Sequence, residues 1–371
     1  MNFSLDDDHL MLRDAAATFL RQEVDLATLL VPGATAEQAG GVRLWTKIAE
    51  LGWLGAIVPE AYGGLGLTTI DLAMIVGECG RFLAPAPLFG TLAGTWALLA
   101  AGSEGQKQRW LPAVSAGSMR LALAIAARDG STEGANEDIE VVEAGPGYLL
   151  SGNAYYVVDG ASADAMVVAA IHGGRRRFFV VERASVEVKR LDWRDITREV
   201  CSLTLDRAPA ELLGGDRDDA WPWIRDRLLL VLAAESAGGL HAVLDDTVAY
   251  AKERVAFGRT IGQYQAIKHQ LADMLAQAEC ASTAVLYAAW ALSESAAAAP
   301  LAAAMAHSHA SDAYRDATHR SIQIFGAIGF TWEMKNHLYF KRARANAELL
   351  GSPAAQRERI VRLLEERARH H

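Results

Sequence analysis

"YAKERVAFGRTIGQYQAIKHQLADM", residues 250–274, starts and finishes with helix-forming residues but carries two arginines, a phenylalanine and two glycines between them. Arg254 and Arg259 flank Val-Ala-Phe-Gly, and Gly258 and Gly262 free the backbone. A guanidinium forks onto a phosphate. Phe257 can lie against a planar ring, and Gln265 offers both a donor and an acceptor. Together they suit a cofactor with a diphosphate and a flat heterocycle. They equally describe an interhelix loop with solvated arginines, and the segment by itself leaves both readings open.

The sequence around this stretch is helical. Residues 221–254, 265–295, 299–327, 336–351 and 354–368 read as helices, with Pro300 at the start of the third, where its missing N–H costs nothing. Long helices with short links imply a bundle. "QIFGAIGFTWE", residues 323–333, joins two of them; Gly326 and Gly329 either admit a close backbone approach to a ligand or simply end a helix. Residues 1–115 are also mostly helical. Their "TTIDLAMIVGECGRFL", residues 68–83, begins with threonines suited to an N-cap and an early Asp71. "PEAYGGLGL", residues 59–67, reads as a tight glycine-rich connection.

Residues 116–215 have a different character. Short runs rich in Val, Phe and Tyr, such as "GYLLSGNAYYVVDG" at 147–160 and "EVCSLTLDRAP" at 199–209, are bounded by Gly, Asp and Pro. They predict an antiparallel sheet or small barrel. Helices, strands and helices in separate blocks make the fold class α+β, divided as 1–115, 116–215 and 216–371, and not an alternating α/β sheet.

The 371 residues are more than one core usually serves. A net charge of -9 argues against a nucleic-acid partner. Leu88–Ala101, an apolar run broken by threonines and glycines, falls short of a membrane span, so none is expected. The acidic N-terminus has no signal or transit character. Cys79, Cys201 and Cys280 lie far apart with no CxxC pair, which points to a reducing, cytoplasmic setting. His307 and His309 are two apart on a helix and face different ways, so no metal is assigned. The basic clusters "VKRLDWRD" and "KRARA" read as solvated faces, or as contacts for an acidic phosphate-bearing substrate.

In this order, "LGWLGAIVPEAYGGLGL" (51–67), the opening stretch and "IQIFGAIGFTWE" (322–333) resemble the acyl-CoA dehydrogenase family over nearly the whole chain. The resemblance implies an N-terminal helical domain, a middle antiparallel β domain and a C-terminal four-helix bundle. It implies FAD, with its isoalloxazine ring between the β domain and the bundle. The residues that contact FAD across a subunit boundary in the family correspond to Arg254, Phe257 and Gln265, and those at the adenine end to Gln323, Gly326 and Ala327. Ala327 stands where the family has a second glycine. Tyr156, followed by Val157 and Val158, stands where the family has Trp-Ile-Thr beside the flavin, and can still cover the ring. The implied partners are an acyl-CoA substrate, an electron-transferring flavoprotein or similar acceptor, and at least one further subunit.

The departures concern the base. The family's glutamate precedes a glycine-threonine pair, and that position here is Leu350; another branch carries it on the first bundle helix, near Leu228. Neither leucine accepts a proton, and losing a general base costs about 10²- to 10⁴-fold in rate. Glu235, the nearest spare carboxylate, is expected to make a helix-surface or interhelix contact, and Glu348 to point off the face of Leu350. The catalytic residue is therefore left unassigned. The resemblance then implies an FAD-dependent dehydrogenase of acyl-CoA thioesters, with three alternatives. One is a base-less subunit of a heteromer whose other subunit bears the base, as in branches that oxidise steroid side chains or other bulky acyl-CoAs, which "IGFTWE…HLYFKRA" resembles. Another is a flavin-dependent oxygenase or oxidase, and the third a structural partner without flavin.

Overall fold

The first block is helical in a computed structural model that describes residues 5–133, 138–215, 217 and 220–369. The helices are α1 (Asp7–Glu23), α2 (Gly41–Glu50), α3 (Thr69–Arg81), α4 (Leu88–Ala101) and α5 (Glu104–Ser115). Thr68 and Asp71 form a reciprocal capping box at the start of α3, as the threonine-rich start predicts.

The strands β1 (Leu121–Ala124), β2 (Ile139–Ala144), β3 (Gly147–Val158), β4 (Ala165–His172), β5 (Arg175–Glu182), β6 (Glu187–Arg190) and β7 (Val200–Leu212) form one sheet. Its order is β1-β4-β5-β7-β3-β2, with β6 paired to β7. All pairs are antiparallel except β1, which runs parallel to β4 with Leu121 opposite Ala165. The wholly antiparallel expectation fails there because β1, Leu-Ala-Leu-Ala, is buried throughout, which suits a parallel strand covered on both faces.

Alternation along the strands separates two cores. Ala165, Val167 and Ala169 of β4 join a core shared with both helical blocks, while Met166, Val168 and Ala170 join a second core on the other face of the sheet. The two helical blocks, far apart in sequence, thus bury one continuous apolar interior.

The last block comprises α6 (Trp221–Glu253), α7 (Gln265–Ser293), α8 (Ala299–Phe325), α9 (Asn336–Glu348) and α10 (Pro353–Arg369). An 18-residue window of α6 is apolar enough to cross a membrane, contrary to the expectation that no run reaches that length. In the fold, 83% of that window is buried. A helix surrounded by others is apolar all round for that reason. It lies so close to α3 that a Cβ at Gly238 would stand 1.8 Å from the Gly77 carbonyl oxygen. The opening stretch forms a small hairpin, β8 (Val255–Ala256) and β9 (Arg259–Thr260), between α6 and α7. Phe257 and Gly258 turn it with φ of 52° and 80°. Two left-handed residues match the twist of a tight hairpin, at a cost for the phenylalanine.

Candidate functional site

A cavity of about 420 Å³ opens where α4, the segment after β1, the end of β3, the start of α6 and the α9–α10 turn converge. Phe89, Ala93, Leu123, Ile125 and Val158 make apolar walls, and Ser131 and Thr132 bring hydroxyls. Leu228 and Leu350, the two positions where a base is expected, both line it. Leu350 holds a φ of 61° and Gly351 one of 95°. Gln356 Nε2 fixes this left-handed turn by donating to the Leu350 carbonyl at 2.8 Å. Tyr156 reaches the cavity because β3 carries an irregularity between Ala154 and Val157 and Tyr156 itself has a φ of 52°. A bulge re-aims a side chain in this way. Its ring lies 6.4 Å from that of Trp193, another wall residue.

Behind the cavity lies a buried ionic cluster that the sequence did not reveal. Arg342 Nε donates to Asp195 Oδ2 at 2.6 Å, and its Nη1 pairs with Glu235 Oε1. Arg198 Nη2 donates to Glu235 Oε2 at 2.6 Å, and Asn346 Nδ2 donates to the same oxygen at 3.2 Å. Burial pushes the Glu235 carboxyl up, but the Arg198 and Arg342 charges and the hydrogen bonds from Arg198 and Asn346 outweigh it and hold the group below its ordinary value. Both Glu235 oxygens are engaged, so of the two contacts expected, helix-surface or interhelix, it makes the interhelix one, and the two guanidiniums that hold it ionised make it a poor base. The reading of "KRARA" and "VKRLDWRD" as solvated faces fails for Arg342 and Asp195, whose side chains are buried. A helix turns 100° per residue, so one member of a basic run faces inward; Asn346, four residues on, marks the same buried face. Arg198 also sits 5.2 Å over the ring of Phe89, linking the cluster to the cavity wall.

Asp159 ties the far side of that wall. Its Oδ2 accepts the Gly90 N–H at 2.9 Å. Burial pushes its carboxyl up to about 7, against the opposing pull of that N–H and of Arg198. The folded pKa lies above the unfolded one, so this acid costs stability as pH rises from about 4 to about 7. Asp159→Asn keeps an oxygen for Gly90 and should narrow the difference in Tm between pH 5 and pH 8. An unchanged difference would refute this account.

The remaining expected site residues gather at the opposite end of α6. Tyr250 stacks on Phe325 with ring centroids 4.0 Å apart, which brings the hairpin beside the turn that follows α8. Arg254, Gln265, Gln323, Gly326 and Ala327 are exposed there. Among the described residues, the Arg254 guanidinium and the Gln265 and Gln323 amides have no hydrogen-bond partner. Phe257 is 97% exposed and Phe330 74%. Open donors, a bare ring and open space where a Cβ at Gly326 would stand fit a diphosphate-bearing group with a planar ring. Tyr156 is not part of this group. It faces the cavity beside Leu228, and the 26 residues from Leu228 to Arg254 span about 39 Å of helix. Glu348, expected to point off the Leu350 face, instead lines the cavity with it, because the chain leaves the helical path at Leu349 and Leu350.

Among the described residues, no group of three His, Cys, Asp or Glu gathers as a metal site. His307 is buried, with its Nε2 3.3 Å from the Asn346 carbonyl oxygen, and burial lowers its pKa to about 4.

Residues 6–118 match the family model of the acyl-CoA dehydrogenase N-terminal domain, and 227–364 that of the C-terminal domain. The acyl-CoA dehydrogenase IpdE2 of Mycobacterium tuberculosis is 34% identical over 349 residues, covering 94% of each chain. Among solved structures, the ChsE4–ChsE5 complex from Mycobacterium tuberculosis superposes with a TM-score of 0.87 at 26% identity over 99% of both chains. The Tcur3481–Tcur3483 steroid ACAD does so with a TM-score of 0.85 at 30% identity, over 98% of this chain and 99% of that one. With both terminal domains matched and a full-length relative at this identity, the chain belongs to the acyl-CoA dehydrogenase family, whose members are FAD-dependent oxidoreductases.

Proposed function

We propose that the chain takes part in α,β-dehydrogenation of an acyl-CoA thioester, in the cavity bounded by Tyr156, Trp193, Leu228 and Leu350. The observation that carries this reading is that one apolar cavity unites Tyr156, aligned with the family's flavin-side aromatic, with both positions where the family places its base. FAD, when bound, supplies the acceptor for the hydride that leaves the β-carbon. The chain's own residues do the rest. Phe89, Ala93 and Leu123 exclude water from the acyl group, and the Ser131 and Thr132 hydroxyls orient the polar thioester. Tyr156 and Trp193 cover a planar ring.

Arg254, Phe257 and Gln265 would hold a diphosphate tail, and Gln323, Gly326 and Ala327 the adenine end. The separation of about 39 Å from the cavity supports a cofactor seated in a neighbouring subunit, so the working unit is at least a dimer. We divide the chain into units 1–115, 116–215 and 216–371, with an electron-transferring flavoprotein or similar protein as the acceptor. Three unpaired cysteines support a cytoplasmic setting. Similarity to a steroid ACAD supports a bulky acyl group.

A second reading, a base-less subunit of a heteromer, is favoured by Leu228 and Leu350 on the cavity wall and by similarity to the ChsE4–ChsE5 complex. Native purification separates the two. Flavin in a homo-oligomer that is bleached anaerobically by an acyl-CoA supports dehydrogenation by this chain alone. A colourless chain that gains flavin only with a second gene product supports the heteromer and removes the first reading.

A further inference from the structure

We propose that Glu348 is the general base that removes the α-proton of the thioester. The proposal rests on the dehydrogenase reading and supplies the group it lacks. In this step the α C–H bond breaks and its proton forms an O–H bond on the Glu348 carboxylate. The electron pair stays on the α-carbon, delocalised into the thioester carbonyl.

Among the described residues, two carboxylates line the cavity, Asp129 and Glu348. Asp129 is engaged locally: its Oδ1 accepts the Ser131 N–H at 2.9 Å, inside a turn closed by the Ala127 N–H on the Ser131 carbonyl at 2.9 Å. Glu235 is locked between Arg198 and Arg342. Glu348 has no hydrogen bond or ion pair among the described residues, so its lone pairs are open to a proton from carbon.

The side chain is exposed, but the backbone that carries it is held. Arg342 and Asn346 pin one face of α9 to the ionic cluster. Glu348 lies two residues beyond Asn346, about 200° around the helix, on the side turned away from the cluster. The next residues, Leu349, Leu350 and Gly351, form the same cavity wall, and Gln356 holds their turn. The carboxylate missing at Leu350 is thus present two residues earlier on the same surface. A base must come within hydrogen-bond reach of the proton it takes. An unpaired carboxylate on a rigid helix end beside an apolar cavity meets that need when a thioester enters.

The test is α-proton exchange in D2O, followed by NMR. The natively purified, flavin-loaded protein, with any partner it retains, is given octanoyl-CoA and cyclohexylpropanoyl-CoA as probes. Exchange does not require oxidation. Glu348→Gln should lose exchange by about 10²- to 10⁴-fold while thioester affinity changes only a few-fold. Glu348→Asp should keep part of the exchange with a shifted pH profile, and the surface variant Glu358→Gln should exchange as wild type. Wild-type exchange in Glu348→Gln overturns the proposal, and if an acyl-CoA still bleaches the flavin, the dehydrogenase reading survives it. A wild-type protein that neither exchanges either probe nor bleaches overturns both.

Discussion

Arg342→Ala should cost the folded protein about 3–5 kcal/mol, because it leaves two buried carboxylates with a lost partner. Arg342 meets Asp195 through Nε, Glu235 through Nη1, and the Thr197 hydroxyl through Nη2 at 2.5 Å. Its side chain and that of Asp195 are nearly inaccessible, so water cannot replace the lost guanidinium without opening the contact between α9, α6 and the segment before β7. Arg342→Lys should recover only part of the loss, since an ammonium cannot fork onto both acids.

The pH dependence has a definite sign. The folded-state carboxyl of Glu235 lies below its unfolded value, so its contribution is fully present above the unfolded pKa and is lost as pH falls through the folded one. Wild-type stability should therefore fall in acid, below about pH 5, and the fall should be shallower in Arg342→Ala. Denaturant unfolding across that range measures both effects. A loss under about 1 kcal/mol would mean the cluster is relaxed or hydrated in solution, and the account of α9 as a pinned helix would fall with it.

Arg254→Ala should weaken FAD retention by about 10- to 100-fold, the loss expected for hydrogen bonds to a charged group. Arg254 is exposed and, among the described residues, its guanidinium is unpaired, so the fold should tolerate the change. Arg254→Lys should restore charge but not the fork, and retain an intermediate amount. Flavin per chain after gel filtration, with Tm as a control, measures this. Unchanged flavin content would remove the hairpin from the cofactor site. A matching loss in Phe257→Ala would show that a ring held at φ of 52° and left 97% exposed is covered by something other than its own chain.

Much of this fold is legible in local sequence. The Thr68 cap, the proline at the start of α8 and the glycine-bearing break after Glu253 act on residues a few positions away, so neighbours alone specify them. The alternation in β7 likewise shows in Val-Cys-Ser-Leu-Thr-Leu. Three other features depend on distant partners. β1 pairs in parallel because β4, some forty residues later, lies beside it. Arg342 is buried because Asp195 and Glu235 meet it from two other elements. Glu348 and Leu350 share one wall of the cavity because the chain abandons helix at Leu349.

Residue type and short-range period specify the order of helical and strand blocks, the family, and the absence of a carboxylate at Leu228 and Leu350. Long-range packing decided that Glu348 faces the cavity beside Asp129, that Arg342 is buried, and that Tyr156 and Arg254 lie at opposite ends of α6. Those outcomes follow from packing segments as far apart as Phe89, Trp193 and Leu350 around one space. No local pattern along the chain records how close such segments come.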